Sequence, residues 1–499
     1  MSTFLLTFKQ ALTSKSINYY NFSGKYASLD KYASLKLKYN IFCCVWAIAT
    51  LFHIANLQAF SANFTLFSLT TAAIFLIAKP SSLIRLLIFI SLQLYNVYST
   101  MPNVSNHWLL TALVNLTILH TLVYLVIKRK TFYIDKAEFL ETFAPLVKIE
   151  LIILYFYAVF HKLNAGFFNT EASCAVEFIL YQNVYYNFMP DSKTLLTLNI
   201  YFTLLVETLI PLLICIRKTR YWGILIGLLF HCAIAYNPIN GFYDFSSFIF
   251  ALYFLFTSTG FSDKINSIYR KLNSRKAKLK DQLLQFNLVN LAIFAVILLG
   301  SIVLIFVADR AFSDFFRHII WTGYSFIFIL VFILSMAAKG KEKPEKNNTF
   351  SVVHYSLLLV PFLVLFNGLC PYLGLKTETS YAMFSNLRTE GGVSNHFIMP
   401  ASLQIFDYQK DVIEVVSSTS PELQRLADDN KLIVFYKLKQ LIRWNKPEKI
   451  EYIRNGERHT FELSKAQAGD ELLQSESYLS NKFLSFREFT RSGVQACGH

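Results

Sequence analysis

Leu151-Ile-Ile-Leu-Tyr-Phe-Tyr-Ala-Val-Phe160, with His161 and Lys162 directly after it, is the stretch that decides the fold. Its residues carry no charge, as a helix in the hydrocarbon core of a membrane requires. A lysine at the end of such a helix is costly unless its ammonium lines a polar cavity or reaches the lipid headgroups. Lys162 is therefore either a functional residue or a snorkelling lysine, and its position alone favours neither.

Similar apolar stretches recur along the 499 residues of the chain. Because about 20 helical residues cross about 30 Å of hydrocarbon, we predict an all-α polytopic membrane bundle of about 11 transmembrane helices. The predicted spans are 40–60, 63–78, 82–100, 108–127, 145–162, 194–215, 221–236, 243–258, 285–307, 318–337 and 352–372.

The net charge of +15 is explained by the loops between these spans. With a cytoplasmic N-terminus, the cytoplasmic segments carry 27 lysines and arginines, whereas the outer segments before residue 376 carry 4. Cytoplasmic loops of membrane proteins are enriched in basic residues. We therefore predict a plasma (inner) membrane protein with a cytoplasmic N-terminus and an extracytoplasmic C-terminal domain. Its expected partner is the lipid bilayer, and no nucleic acid is expected.

The composition divides the chain into five parts. Residues 1–38 form a basic amphipathic segment on the cytoplasmic surface, and residues 39–259 form an N-terminal transmembrane bundle. Residues 260–284 are a charged cytoplasmic linker, and residues 285–375 are further transmembrane helices. Residues 376–499 are predicted to be a small extracytoplasmic β-rich domain.

The β-rich domain is predicted from alternating apolar and polar residues. Strands are expected at 402–408, 412–417 and 432–438, and a hairpin is expected at 449–463. Asn455-Gly456 stands at the centre of this hairpin, and the pair accommodates the positive φ angles of a two-residue turn. A small sheet therefore follows the bundle.

Glu207 and His231 are further ionisable residues deep in predicted spans. A buried carboxyl group needs a partner or a proton, and an imidazole supplies a donor or an acceptor. Both residues therefore either support Lys162 in the bundle interior or join helices by hydrogen bonds. We predict no metal site, because no span pairs these residue types at ligand spacing. Three lone histidines are expected to be structural, namely His53, His120 and His354.

The seven cysteines contain no Cys-x-x-Cys pair and no metal-ligand spacing. Most are expected to be small buried apolar residues. Cys174, Cys370 and Cys497 fall on the predicted outer side, where one disulfide among them is compatible with an oxidising compartment. The sequence does not determine which two of them pair.

Lys162 offers a proton acceptor if it is partly withdrawn from water, because desolvation favours the neutral amine over the ammonium. A general base also needs a dry pocket and a substrate proton within hydrogen-bonding reach. His161 and Asn164 flank the lysine in the sequence. The polar loop from Asn386 to His396, which includes Arg388, is expected just above the membrane. Its side chains either bind a ligand or cap the local backbone.

The segment Tyr155-Phe-Tyr-Ala-Val-Phe-His-Lys162 resembles the Tyr-Phe-x-Ala-Gly-x-x-Lys segment of the vitamin K-dependent γ-glutamyl carboxylase family and its bacterial relatives, the HTTM membrane proteins. Glu207-Thr-Leu-Ile-Pro211 resembles the Glu-x-x-x-Pro of the following span in that family. His231 and the later Asn240-Gly-Phe242 resemble its next histidine-containing span. The stretch from Pro371 to His396 resembles the junction between the membrane part and the outer domain.

The resemblance implies that Lys162 deprotonates a reduced, vitamin K-like quinone, and that oxygenation of this quinone precedes carboxylation of a peptide glutamate. The sequence departs from the family's pattern at two places: Val159 replaces the usual glycine, and Tyr243-Asp-Phe-Ser-Ser247 replaces a more apolar pattern. We predict as catalytic residues Lys162, His161 and His231. We predict as substrate-binding residues Glu207, Asn164, Asn386, Arg388 and His396.

The sequence is compatible with two functions. The first is a carboxylase-like membrane enzyme that modifies a secreted peptide or a lipid at the outer face, with Lys162 as general base. The second is a non-enzymatic membrane factor that matures, binds or exports a secreted peptide through its C-terminal tail. Lys162→Ala is expected to abolish only the first function, whereas deletion of residues 400–499 is expected to abolish the second.

Overall fold

The structure is a computed structural model that describes residues 29–57, 63–190, 192–239, 241–275, 310–338, 349–467 and 469–498. Most of the described chain is helical. The helices are α1 (Leu29–Asn56), α2 (Phe64–Ala78), α3 (Leu83–Thr100), α4 (Asn106–Arg129), α5 (Lys136–Phe160), α6 (Cys174–Tyr186), α7 (Lys193–Cys215), α8 (Arg220–Ile234), α9 (Tyr243–Phe256), α10 (Thr259–Arg275), α11 (Arg310–Ala337), α12 (Leu359–Leu373), α13 (Pro421–Asp428), α14 (Phe435–Asn445) and α15 (Tyr478–Phe483).

Seven of the described helices are long and apolar enough to cross a membrane, which makes the chain an integral membrane protein. They are α1, α3, α4, α5, α7, α11 and α12, the last together with the turn before it. The apolar helices α2 and α8 have only 15 residues each, fewer than the about 20 that a straight crossing takes. Helices α9 and α10 are bent by 111° at the break between them and make an eighth crossing if they count as one.

The prediction of about 11 spans is therefore not confirmed, because three of the predicted segments form short or bent helices. The predicted span 285–307 lies outside the described residues. Helix α1 begins at Leu29, so the last part of the predicted surface segment 1–38 belongs to the first spanning helix. The predicted linker 260–284 begins as helix α10, and residues 276–284 lie outside the described part.

Side-chain caps mark where two of the helices begin. Oδ1 of Asp135 accepts hydrogen bonds of 3.0 Å from the amides of Ala137 and Glu138 at the start of α5. Oδ1 of Asn63 accepts one of 2.8 Å from the amide of Leu66 in α2. Such caps satisfy amide groups that a helix leaves unpaired at its N-terminus. The start of α5 is thereby defined, and its 25 residues lead to Lys162.

The chain divides into two compact units. The second unit holds Lys162, Glu207 and the whole C-terminal part. The first unit comprises the described residues within Met1–Asn96, Thr111–Leu151 and Ile210–Pro361, and the second comprises those within Val97–Leu110, Ile152–Leu209 and Phe362–His499.

A five-stranded antiparallel sheet lies in the C-terminal part of the second unit, with the strand order β4-β3-β1-β2-β5. Its strands are β1 (Val412–Ser418), β2 (Lys431–Val434), β3 (Lys449–Arg454), β4 (Glu457–Glu462) and β5 (Phe489–Thr490). Alternate residues of β1, Ile413 and Val415, face a buried core that α13 and α14 complete with Leu426 and Leu438. The buried residues of β1 therefore recur every second position, as one face of a strand requires. Those of the covering helices recur every three or four positions, as one face of a helix requires.

The predicted hairpin and the predicted strand at 412–417 are confirmed. Asn455 and Gly456 have φ angles of 54° and 83°, the left-handed values that the turn requires. The predicted strand at 402–408 is wrong, because a single 3-10 turn, Ala401–Leu403, takes its place. The predicted strand at 432–438 ends at Val434, where α14 begins. The domain is therefore a mixed α/β fold, since the spacing of Phe435, Leu438 and Leu441 is helical.

Candidate functional site

Lys162 and Glu207 form an ion pair inside the second unit. Lys162 lies in the turn that follows α5, and its amide donates to the carbonyl of Val159 at 3.0 Å. Its Nζ lies 2.6 Å from Oε1 of Glu207, which is on α7, and it also contacts Oε2. The two side chains are 9% and 14% exposed. Because the ammonium contacts a carboxylate within the protein, the structure favours a paired lysine over a snorkelling one.

The environment of this pair combines low solvent exposure with an aromatic ring. The Nζ of Lys162 is 5.6 Å from the centroid of Phe167. Two charges withdrawn from water cost several kcal/mol each before their mutual attraction offsets that cost, so a buried ion pair is weak evidence for a purely stabilising role. The pair holds an amine and a carboxylate at hydrogen-bonding distance, and this arrangement can exchange a proton with a third group.

His161 is fully buried beside the pair, and both of its ring nitrogens are used. Its Nδ1 lies 2.7 Å from the hydroxyl of Tyr372, and its Nε2 lies 3.2 Å from the carbonyl of Ser380. A carbonyl can only accept, so Nε2 donates to it. Burial lowers the pKa of His161, so the ring is neutral and Nδ1 accepts from the tyrosine hydroxyl. The ring also stacks on Tyr157 at 5.0 Å. This geometry makes the predicted catalytic residue His161 a neutral side chain that positions the turn carrying Lys162.

Asn164 also uses its side chain to hold the backbone. Its Nδ2 donates to the carbonyls of His161 and Ser385 at 2.7 and 2.6 Å, and its Oδ1 accepts from the amide of Phe167 at 2.9 Å. Asn395 donates a further bond of 3.3 Å to the same oxygen. A side chain with this many internal partners has little capacity for a substrate, so the structure favours a positioning role for Asn164.

The loop 379–386, which is hydrogen-bonded to the turn carrying Lys162, has an unusual backbone. Four of its non-glycine residues have left-handed φ angles between 53° and 62°, namely Thr379, Tyr381, Phe384 and Asn386. Such a conformation costs about 1–3 kcal/mol per residue and persists only where the surroundings determine it. Asn106 accepts from the amide of Tyr381 at 2.6 Å, and Asn367 donates to the carbonyl of Thr379 at 2.8 Å. Strained backbone held in this way is a feature of functional sites.

Asn386 joins this loop to two other segments. Its Oδ1 accepts from the amide of Cys174 at 2.9 Å, and its Nδ2 donates to the carbonyls of Ala172 and Gln495 at 2.7 and 2.9 Å. The same two segments are joined covalently by a disulfide between Cys174 and Cys497. Cys370, the third candidate, is a buried free thiol.

Arg388 and His396 contact protein groups as well. Nη1 of Arg388 donates to the carbonyl of Thr490 at 3.2 Å, and its guanidinium lies 5.0 Å from the ring of Phe489. Nε2 of His396 donates to the carbonyl of Phe160, the last residue of α5, at 2.8 Å. With Asn386, these residues bind the loop 386–396 to other parts of the second unit. Their contacts favour the backbone-capping interpretation over substrate binding.

His231 belongs to the first unit, where it lies on α8. Its ring is buried among Phe230, Phe245 and Tyr253, with centroid distances of 5.5, 5.3 and 6.1 Å. His53, predicted to be a lone structural histidine, has a partner, since its Nδ1 lies 3.1 Å from Oδ2 of Asp244. The sequence missed this pair because nothing in the spacing links residues so far apart along the chain.

Sequence reasoning also missed Lys376, which is fully buried in the second unit. Its Nζ donates to the hydroxyl of Thr379 at 2.9 Å and lies 4.4 Å from the ring centroid of Phe483. Burial lowers the pKa of Lys376 to about 8. A sequence pattern could have identified this residue, because Lys376 follows the apolar end of α12 much as Lys162 follows that of α5.

A second buried ion pair lies in the same unit. Nε of Arg487 is 3.2 Å from Oε1 of Glu390, and the side chains are 6% and 0% exposed. The amide of Thr389 donates to the other carboxylate oxygen at 2.9 Å. The described part of the second unit therefore contains two buried ion pairs.

Fold and site together define an integral membrane protein with a buried lysine–carboxylate pair at the end of a spanning helix. Comparisons with family models, with curated proteins and with solved structures found no match to this chain. The relationship to the carboxylase family therefore rests on the residues quoted above and remains a proposal.

Proposed function

We propose that this protein is an integral membrane enzyme whose Lys162–Glu207 pair exchanges a proton with its substrate at the outer membrane face. The observation that carries the proposal is the buried contact of 2.6 Å between Nζ and Oε1. An ionisable pair at the end of a spanning helix is costly, so it is a functional-site hypothesis by default. The disulfide between Cys174 and Cys497 supports the outer location, since disulfides persist in oxidising compartments.

The pairing changes the role proposed for Glu207. Sequence reasoning placed Glu207 with the substrate-binding residues, whereas its contact with Lys162 makes it the partner of the base. In this arrangement Glu207 takes a proton from the ammonium of Lys162, and the neutral amine then takes the hydroxyl proton of the substrate. The ammonium formed in this way stabilises the negative charge left on the substrate. His161 and Asn164 act by positioning the turn that carries the lysine.

A reduced quinone of the vitamin K type is the proposed reaction partner, on the strength of the resemblance. The fit is chemical: an ammonium and a carboxylate, both slightly exposed, suit a group that carries an acidic hydroxyl. When bound, a hydroquinone supplies that hydroxyl proton and reducing electrons. The carboxylation of a secreted peptide or a lipid is the part of the proposal that rests on resemblance alone.

The test measures quinone binding and activity in four variants of the detergent-purified protein. Lys162→Ala and Glu207→Gln are expected to lose turnover of added reduced vitamin K1, and Lys162→Ala is expected to retain less quinone by mass spectrometry. Lys162→Arg keeps the charge but not the removable proton, so it is expected to bind without turnover. Lys193→Ala removes an exposed lysine of α7 and is the matched control. Wild-type behaviour of both Lys162 variants would refute the proposal.

The alternative, a non-enzymatic factor for a secreted peptide, is favoured by one observation. Strand β4 is at one edge of the sheet, so its outer hydrogen-bonding groups are available to an added strand. A phenotype that survives Lys162→Ala but is lost when Thr460 of β4 is replaced by proline supports this alternative. Deletion of residues 400–499 is a less specific test, because it also removes Gln495 and Cys497.

A further inference from the structure

The C-terminal part of the second unit contacts the ends of three spanning helices. At the end of α5, His396 donates to the carbonyl of Phe160 at 2.8 Å, and the amide of Phe397 donates to Leu163 at 2.9 Å. At the end of α12, the amide of Phe406 donates to the carbonyl of Leu373 at 3.0 Å. These bonds place two stretches of the loop after Asn395 at the level where two spanning helices end.

The third contact is at the end of α3. Nζ of Lys482, on α15, donates to the carbonyls of Tyr98 and Met101 at 2.9 and 3.2 Å. The hydroxyls of Tyr98 and Tyr478 are also in contact. A lysine that donates to the last carbonyls of a helix satisfies acceptors that the helix leaves unpaired.

Apolar side chains are exposed beside each of these contacts. Six residues, with exposures from 38% to 76%, form what we call the apolar rim: Phe397, Ile398, Ile405, Phe406, Tyr478 and Leu479. The residues next to them are held by the protein, since the imidazole of His396 accepts from the amides of Ile398 and Met399. The apolar groups therefore project from an ordered backbone.

The rim continues the exposed surface of a spanning helix. The ring of Phe168 lies 5.7 Å from Phe397 on one side and 5.7 Å from Tyr201 on the other. Tyr201 is on α7 and is exposed, as are Phe202 and Leu205 beyond it. An apolar surface thus runs from the spanning helix to the loop.

We propose that the apolar rim is immersed in the interfacial layer of the protein's own membrane, where it contacts phospholipid. Helix ends mark the depth at which hydrocarbon gives way to headgroups, and aromatic and aliphatic side chains are favoured at that depth. Large exposed apolar patches mark membrane or protein contacts. Because the rim lies at three helix ends and is continuous with the exposed surface of α7, we assign its contact to lipid rather than to another protein. The inference does not depend on the proposed enzyme activity.

Photo-crosslinking tests the proposal in vesicles of phosphatidylethanolamine and phosphatidylglycerol. Benzoylphenylalanine is placed singly at Phe397, Ile405 or Leu479, and at Trp444 as the matched control. Trp444 is an aromatic residue of α14 that is 53% exposed, comparable to the rim. After irradiation, peptide mass spectrometry is expected to find lipid adducts at the rim positions at least tenfold more often than at position 444.

Lipid yields at the rim no higher than at position 444 would overturn the proposal, and so would adducts to a second protein chain in place of lipid. The three rim positions are exposed and are tested one at a time. A single variant that folds is therefore enough to test the proposal. An intact Cys174–Cys497 disulfide, seen as a mobility shift on reduction, identifies the folded variants. Quinone turnover is measured in the same samples, and its absence would bear only on the proposed function.

Discussion

Lys162 donates from its ammonium to the carboxylate of Glu207, and the pair joins the turn after α5 to the middle of α7. Removal of one member of a buried ion pair leaves the other charge without compensation, which costs about 3–5 kcal/mol. Replacement of both members by apolar residues of similar volume is often neutral or stabilising. This asymmetry separates the energetic role of the pair from its chemical role.

Lys162→Met is therefore expected to lower the thermal unfolding temperature of the detergent-purified protein, because Glu207 loses its partner. The double variant Lys162→Met, Glu207→Leu is expected to return close to the wild-type temperature while it remains inactive. Scanning calorimetry or intrinsic fluorescence measures both. A double variant that is as unstable as the single one would contradict the assignment of a direct pair.

Asn386→Ala is expected to destabilise the protein by about 4 kcal/mol. The substitution removes three hydrogen bonds of about 1 kcal/mol each and leaves alanine in a left-handed conformation that it disfavours. Asn455→Ala is the matched control, since Asn455 has a similar φ of 54° in an exposed turn. Its expected cost is about 1 kcal/mol by chemical denaturation. Equal effects at the two positions would show that the side-chain bonds of Asn386 contribute little.

Thiol counting checks the disulfide. Of the seven cysteines, Cys174 and Cys497 are bonded and five are free, so denatured protein is expected to take up five maleimide labels without reductant and seven after reduction. Cys174→Ser is expected to give six labels in both cases, because Cys497 loses its partner. Seven labels in unreduced protein isolated from cells would place the C-terminal part in a reducing compartment and contradict the outer location.

Lys376 predicts a pH dependence of stability. Its pKa is about 8 in the folded protein and near 10.5 in the unfolded chain, so the unfolded state binds more protons between these values. The free energy of unfolding is therefore expected to gain a positive contribution as pH rises from 8 to 10.5, worth roughly 3 kcal/mol at its full extent. Lys376→Met is expected to stabilise the protein at pH 7 and to remove this rise.

The control for this experiment is Lys465→Met, which replaces an exposed lysine of the same unit. Unfolding temperatures measured from pH 7 to pH 10 should keep the wild-type slope in that variant. A slope that persists in Lys376→Met would show that another group titrates in this window.

The membrane class and several local elements were predictable, because they depend on short-range patterns. The apolar run before Lys162 predicted α5, and Asn455-Gly456 predicted the hairpin between β3 and β4. The predicted strand at 402–408 is wrong, because the alternation there reflects apolar side chains exposed beside a helix end rather than a strand. The predicted number of about 11 spans is not confirmed in the described part of the chain, since composition does not show where a helix such as α2 stops.

The sequence by itself determined that the chain enters a membrane and that Lys162 stands at the end of a spanning helix, since hydropathy acts locally along the chain. Only the tertiary structure decided that Glu207 is the partner of Lys162, that Cys174 pairs with Cys497, and that Lys376 is buried. Each of these contacts joins residues distant in sequence, and their proximity depends on how helices and loops pack. Packing is a property of the whole fold, so no local pattern encodes it.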